Sequence, residues 1–181
     1  MLVNLVWTIS YLKRIRLNRR VFLKSSFLAT TISIVFNKKI YASTIYDNLL
    51  ILQEDLFPNI ERFNISIKGI NAKEYLAYIL HHKKISQNEK KFIKDGFKIL
   101  NRYSIKLQKD LYYKLPKDKR DKVLKYISKT KWGKDFIETI LTYILEALLG
   151  DPIYGINTNE VGWKWLNHQP GVPRPIKAYN G

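Results

Sequence analysis

Side chains that commonly carry enzyme chemistry are scarce in this 181-residue chain, which has no cysteine and three histidines, His81, His82 and His168. Without cysteine the chain has no disulfide, no thiolate zinc or iron–sulfur site, no covalently attached haem and no cysteine nucleophile. His81 and His82 are adjacent, so on a helix they face different directions, and no Asp or Glu lies three or four residues away to complete a metal site. The sequence therefore predicts solvated histidines and no metal ligand.

Glu138 and Glu146 are the carboxylates best placed for acid–base chemistry. They are eight residues apart and would share one face of an apolar helix, where a partly buried pair can have a perturbed pKa. Capping, pairing with lysine or exposure is the more common role for such residues. The sequence also lacks a Gly-x-Gly-x-x-Gly motif, a phosphate loop and a Gly-x-Ser-x-Gly motif. We therefore predict no catalytic and no cofactor-binding residue in this chain, which would not be an enzyme by itself.

The charge of the chain is strongly basic, with 32 Lys and Arg against 15 Asp and Glu, a formal net charge of +17. Residues 1–42 hold eight basic and no acidic residues, so the remaining 139 residues carry +9. This remainder is rich in Lys and poor in Arg, whereas bidentate recognition of phosphate or guanine favours Arg. We interpret the charge as a solvated basic surface and predict no nucleic-acid partner. A basic helical nucleic-acid-binding protein is the alternative.

The N-terminal segment, residues 1–42, has the features of an export signal. From residue 18 it shows a basic region, a short and moderately apolar region and a small residue at a possible cleavage point. The basic region matches the twin-arginine motif in order through Arg19, Arg20, Phe22, Leu23 and Lys24. We expect residues before Leu17 to be an over-extended gene start. A membrane-anchoring helix, as part of an interaction protein, is the alternative.

The body of the chain has helical spacing and few strand patterns, which predicts an all-α fold: a small helical bundle forming one domain over residues 43–181. A first helix is expected from Ser43 or Thr44 to Leu56, and Asn71 is expected to cap the next. Ser86 and Glu89 have the spacing of a capping box.

Three later segments complete the predicted bundle. Apolar residues three or four apart from Phe92 to Leu107 predict a core stripe. The lysines expected mostly outside this stripe are Lys90, Lys91, Lys94 and Lys98. Another helix is predicted over Lys117 to Lys129. The stretch from Phe136 to Leu149 is apolar nearly all round, which is typical of the buried centre of a bundle, and it is shorter than the roughly 20 residues of a spanning helix.

The chain after Leu149 is rich in Gly, Pro and Trp. Gly150 suits a helix C-cap, and Pro152 prevents the helix from continuing. Residues 151–181 have no apolar periodicity and predict an irregular extended C-terminal arm. Trp163 and Trp165 favour order in this arm, because exposing two indoles is costly. The arm is predicted to dock a partner, and folding back over the end of the bundle is the alternative.

Part of this arm has the form Asp-Pro-x-Tyr-Gly-x-Asn, followed by Gly-Trp and a Pro-Gly turn. The residues are Asp151, Pro152, Tyr154, Gly155, Asn157, Gly162, Trp163, Pro170 and Gly171. In this arm, in its leader, in residues 56–58 and in residues 92–101, the chain resembles the gluconate 2-dehydrogenase subunit 3 family. Ile156 stands where a second glycine is usual, and Asn167 lies where a glycine is common.

The resemblance implies a small accessory subunit of a periplasmic dehydrogenase associated with the inner membrane. Its large partner would be a flavoprotein of the glucose-methanol-choline type, which holds FAD and oxidises a sugar or sugar acid, and a third subunit would be a cytochrome c with haem c. This chain would carry no redox group. Its leader would export the leaderless flavoprotein through the twin-arginine translocase and help it mature. The residues predicted to bind the flavoprotein are Asp151, Pro152, Tyr154, Gly155, Asn157, Gly162, Trp163 and Trp165.

Overall fold

The structure is a computed structural model that describes residues 43–178. The leader residues lie outside the described residues, and so does the expected start near Leu17. These leader residues are Arg19, Arg20, Phe22, Leu23 and Lys24. Among the described residues, no helix combines the length and the apolar character needed to cross a membrane.

The described part of the chain is all-α, as predicted. Its α-helices are α1 (Ser43–Leu56), α2 (Ala72–His81), α3 (Gln87–Gln108), α4 (Lys117–Ile127), α5 (Lys131–Leu149) and α6 (Val161–Trp165). Within residues 43–178 the β pairing is confined to one isolated antiparallel bridge between Ile60 and Ile65. That bridge lies in the connection from α1 to α2, where the alternating isoleucines were too few to predict a strand.

Helix α5 is the centre of the bundle and contacts each of the other five helices. Ten of its residues are buried, which confirms the predicted buried helix. It begins five residues before Phe136, because the Thr130 hydroxyl oxygen accepts a hydrogen bond from the Gly133 backbone N–H at 3.0 Å. Apolar periodicity does not reveal this first turn, since its residues are partly charged.

Aromatic packing joins α3 to α5. The rings of Phe97 and Phe136 meet edge to face with centroids 5.4 Å apart, and Trp132 stacks on Phe136 at the same distance. Gly96 makes this approach possible, because a Cβ at that position would lie 2.2 Å from the Phe136 ring. The stripe predicted from Phe92 to Leu107 is therefore the core face of α3.

Two predictions about α2 and α3 need correction. Asn71 precedes α2 with a left-handed φ of 55°, but its side chain does not cap the helix. Lys90 was expected outside the core, whereas it is buried, because it lies on the same helical face as Ile93 and Phe97. Its long aliphatic stem explains how a lysine occupies that face.

A buried ion pair ties α1 to α4. The Asp55 side chain is 2 % exposed and accepts hydrogen bonds from the Arg120 guanidinium, from Nε at 2.6 Å and from Nη2 at 3.1 Å. The Tyr112 hydroxyl donates to the same carboxylate at 2.7 Å, and the Lys117 ammonium does so at 3.0 Å. The bond to Asp55 raises the pKa of Arg120 above its ordinary value. The carboxylate is thus fully bonded within the chain.

Candidate functional site

The C-terminal arm folds back on the end of the bundle instead of extending away from it. Its first part, residues 151–168, which we call the seated segment, contains the 3-10 turns Pro152–Tyr154 and Thr158–Glu160 and the short helix α6. Helix α6 contacts α5 and the 3-10 turn Glu61–Phe63. The second part, residues 169–178, which we call the tail, has no helical turn. The prediction of an extended arm is therefore wrong for the seated segment, whose regular structure is limited to two 3-10 turns and the five-residue α6.

Asn157 is the centre of the seated segment and is fully buried. Its backbone N–H donates to the Ala147 oxygen at 2.8 Å, and its side-chain Nδ2 donates to the Gly150 oxygen at 3.0 Å. Its Oδ1 accepts a hydrogen bond from the Gly162 N–H at 2.8 Å. Two carbonyl oxygens at the end of α5 thereby gain donors, which the end of a helix otherwise lacks.

Gly162 and Trp163 complete the cover over the end of α5. A Cβ on Gly162 would lie 1.9 Å from the Leu148 oxygen, so only glycine permits this approach. The Trp163 indole is buried, and its Nε1 donates to the Leu149 oxygen at 2.7 Å. Hydrogen bonds to backbone oxygens at the end of α5, together with the burial of apolar side chains, fix the position of the seated segment on the bundle.

Arg174 fastens the tail to the seated segment. Its Nη2 lies 3.0 Å from Asp151 Oδ1, and its Nη1 lies 2.5 Å from Glu160 Oε1. The guanidinium carbon lies 4.9 Å from the centroid of the Trp163 ring, a cation–π distance. One arginine therefore bridges two carboxylates and an indole of the seated segment.

A scan of protein-family models matched residues 56–171 to the description Gluconate 2-dehydrogenase subunit 3. The match covers more than half of the chain, from the end of α1 through the seated segment. The chain belongs to the gluconate 2-dehydrogenase subunit 3 family. Searches of curated proteins and of solved structures found no match. The name of the family places its members in a multi-subunit gluconate 2-dehydrogenase complex.

The two departures from the family's sequence pattern have structural explanations. Ile156 is buried and packs directly on Gly150, where a Cβ would lie 2.4 Å from the Ile156 Cδ1 atom. Asn167 has a φ of 53°, in the left-handed region that glycine favours and that asparagine tolerates better than most residues. Ile156 therefore adds apolar burial in this family member. Asn167 keeps the left-handed backbone conformation that glycine would favour.

The predicted partner-binding residues differ in burial. Three are buried in the chain itself, namely Asn157, Gly162 and Trp163. The others are half-buried or exposed, namely Asp151, Pro152, Tyr154, Gly155 and Trp165. The buried residues hold the seated segment on the end of α5, and the other five keep part of their surface accessible.

Sequence reasoning missed the most exposed apolar residues of the arm. Leu166 is 52 % exposed, Val172 is 93 % exposed and Ile176 is 97 % exposed. The sequence signal for Val172 and Ile176 was their position beside Pro173 and Pro175, because proline does not continue a helix.

Glu138 and Glu146 have different surroundings. Glu138 is exposed, whereas Glu146 accepts a hydrogen bond from the Tyr75 hydroxyl at 2.9 Å. Glu89 likewise accepts a hydrogen bond from the Tyr143 hydroxyl, and its backbone N–H bonds Ser86 Oγ at 3.1 Å, which is the N-cap bond of the predicted capping box. Burial, reinforced by these carboxylates, raises the pKa of both tyrosines. The protonated tyrosines tie α2 and α3 to α5.

The three histidines differ in their surroundings. His81 and His168 are exposed, and His82 is half-buried with its ring 5.0 Å from that of Tyr78. Burial, and then the nearby charges of Lys84 and Lys90, lower the pKa of His82. Within residues 43–178 no cluster of three or more His, Asp or Glu residues is arranged to hold a metal ion.

Proposed function

We propose that this chain is the small, non-catalytic subunit of a periplasmic, membrane-associated dehydrogenase that uses flavin to oxidise a sugar or sugar acid. It binds a large flavoprotein of the glucose-methanol-choline type, carries it through the twin-arginine translocase and aids its maturation. FAD belongs to that flavoprotein, and haem c belongs to a cytochrome c subunit. Membership of the family and the complete motif from Arg19 to Lys24 support this proposal.

Exposed apolar side chains in the seated segment and the tail support docking. Five large hydrophobic residues are exposed in the described part of the chain, and three of them are Leu166, Val172 and Ile176. Exposed apolar residues gathered in one segment are typical of protein–protein interfaces. Tyr154 and Trp165 pack against the core but are only half-buried, and they are aromatic residues of the kind that dominate interface energetics.

The seated segment supports docking because it is held in place before a partner arrives. Asn157 and Trp163 bond the backbone at the end of α5, and Arg174 joins the tail to Asp151 and Glu160 of the seated segment. A surface that is already ordered loses less conformational entropy when it binds. The covering role and the docking role of the arm are therefore compatible: the inner face covers α5 while the outer face binds the flavoprotein.

Co-purification with the flavoprotein tests this proposal. The full chain is co-expressed with an affinity-tagged flavoprotein, and the two are purified together. The variant Leu166→Ser/Val172→Ser/Ile176→Ser should no longer co-purify. The matched control Ile105→Ser/Tyr126→Ser changes exposed residues of similar size on α3 and α4 and should co-purify like the wild type. Equal recovery of both variants, each with an unchanged melting temperature, would contradict docking through the arm.

A further inference from the structure

The charge of the described chain is divided unevenly between two parts of the molecule. Residues 83–134, which contain α3 and α4, hold 18 Lys and Arg against five Asp and Glu, a net charge of +13. The rest of residues 43–178 hold six basic against ten acidic residues, a net charge of −4. A general enrichment in lysine would spread over the whole chain, so it does not explain this division.

The Lys and Arg side chains of residues 83–134 mostly lie on the surface, and most of them form no ion pair with a described carboxylate. Sixteen of the 18 are exposed, the exceptions being Lys90 and Arg120. Among the exposed ones, the ion pairs to described carboxylates are those of Lys98 with Asp95 and of Lys117 with two aspartates. The positive charge of α3 and α4 is therefore largely uncompensated within the described chain.

The cations form stripes along two neighbouring helices, and we call these stripes the basic face. On α3 and just after it, the stripe consists of Lys91, Lys94, Lys98, Arg102, Ile105 and Lys109, all exposed and three or four residues apart. On α4 and just after it, the stripe consists of Lys119, Lys122, Tyr126 and Lys129. This spacing places each set on one side of its helix.

Aromatic and aliphatic side chains accompany the cations. Ile105 is 48 % exposed and Tyr126 is 44 % exposed. The Tyr103 ring lies 5.5 Å from that of Tyr126 and 6.3 Å from that of Trp132, so aromatic rings fill the junction between α3, α4 and α5. Lysines combined with tyrosine, tryptophan and aliphatic residues are typical of surfaces that lie in the headgroup region of a bilayer.

We propose that the basic face binds the surface of a bilayer that contains anionic phospholipids. Attraction to such a surface depends on the number of nearby positive charges and requires no bidentate geometry, which suits lysine. Nucleic-acid recognition would favour arginine, but only Arg102 and Arg120 occur among the 18 cations, and Arg120 is bonded to Asp55. This binding requires no partner subunit, so it can be tested without the flavoprotein.

Co-sedimentation with vesicles tests the proposal. The full chain is mixed with vesicles of phosphatidylcholine alone or of phosphatidylcholine and phosphatidylglycerol in equal amounts. Each lysine near an anionic surface strengthens binding about fivefold. The variant Lys119→Gln/Lys122→Gln/Lys129→Gln should therefore bind the anionic vesicles at least about tenfold more weakly than the wild type. A second variant, Lys91→Gln/Lys94→Gln/Arg102→Gln, should behave in the same way and serves if the first fails to fold.

The matched control is Lys68→Gln/Lys164→Gln/Lys177→Gln, which removes three exposed lysines outside residues 83–134 and keeps the leader unchanged. It should bind the anionic vesicles nearly as well as the wild type, and that binding should weaken as salt is added. Equal loss in the control and in the basic-face variants would overturn the proposal. Equal binding of the wild type to both kinds of vesicle, or binding to duplex DNA at a salt concentration where anionic vesicles are not bound, would also overturn it.

Discussion

The side chain of Asn71 donates a hydrogen bond from Nδ2 to the backbone oxygen of Gly155 at 2.8 Å. The two residues are 84 positions apart, so this bond joins the start of α2 to the seated segment. The side chain of the residue that precedes α2 thus holds the C-terminal arm and does not cap its own helix. The arm is consequently part of the folded domain, and its outer face has a defined orientation.

Asn71→Asp should weaken the attachment of the seated segment, because a carboxylate cannot donate to the Gly155 oxygen. We expect a loss of about 1–2 kcal/mol in the free energy of unfolding. Asn71→Gly removes the same bond but suits the φ of 55°, so its loss should be smaller. Asn64→Asp is the matched control, since Asn64 has a φ of 53° and is exposed. Urea unfolding followed by circular dichroism measures all three; equal effects at positions 64 and 71 would contradict the assignment.

Gly162→Ala should destabilise the seated segment. The new Cβ would lie 1.9 Å from the Leu148 oxygen, so the segment must move away from α5. We expect a loss of about 2 kcal/mol, in the range for overpacked sites. Gly171→Ala is the control, because nothing lies within 4 Å of a Cβ there. Thermal unfolding measures both; an unchanged melting temperature for Gly162→Ala would contradict the close contact.

Asp55→Asn should be among the most destabilising single substitutions in the bundle. It leaves the Arg120 guanidinium half-buried beside an uncharged amide, and removing one partner of a buried ion pair typically costs about 3–5 kcal/mol. The exposed pair of Asp95 and Lys98 provides the control, because Asp95→Asn should cost less than about 1 kcal/mol. Denaturant unfolding compares the two, and similar losses would show that the Asp55 pair behaves like a surface pair.

Stability should fall at alkaline pH through three tyrosines. Burial raises the pKa of Tyr75, Tyr112 and Tyr143, and the carboxylates that accept hydrogen bonds from their hydroxyl groups raise it further. Because their pKa is higher in the folded chain, their contribution to stability is complete below about pH 10 and is lost as the pH rises above it.

Tyrosinate absorbance, followed together with circular dichroism, measures this effect. The chain has 12 tyrosines, and the exposed ones should ionise first while the helical signal persists. The buried tyrosines should ionise only as the helices unfold. A single ionisation step of all tyrosines with full retention of helical signal would show that these hydroxyls are not buried donors.

The helices were predictable because their stabilisation comes from periodic apolar faces. The stripe of α3 and the buried run of α5 both appear directly in the spacing of apolar residues. The start of α5 was not predictable in this way. Gly133 lies in its first turn, and a Cβ at that position would meet the Ile127 oxygen at 2.0 Å. That constraint comes from a neighbouring turn and leaves no periodic signal.

The candidate site was only partly predictable, because its contacts join residues distant in the chain. The two tryptophans correctly indicated an ordered arm, and the alternative of folding back describes the position of the seated segment. Asn157 gave no signal of its role, since its bonds to the end of α5 depend on how the arm turns back. The family pattern singled it out, and the structure supplies the physical reason.

The location of the flavoprotein in the cell tests the central claim, that one leader exports both subunits. The flavoprotein is followed by immunoblotting of periplasmic and cytoplasmic fractions from cells that express it with the full chain. With Arg19→Lys/Arg20→Lys, and equally with Leu166→Ser/Val172→Ser/Ile176→Ser, we predict that the flavoprotein stays in the cytoplasm, while the wild-type chain sends it to the periplasm. A flavoprotein that still reaches the periplasm with the Arg19→Lys/Arg20→Lys chain would contradict the account.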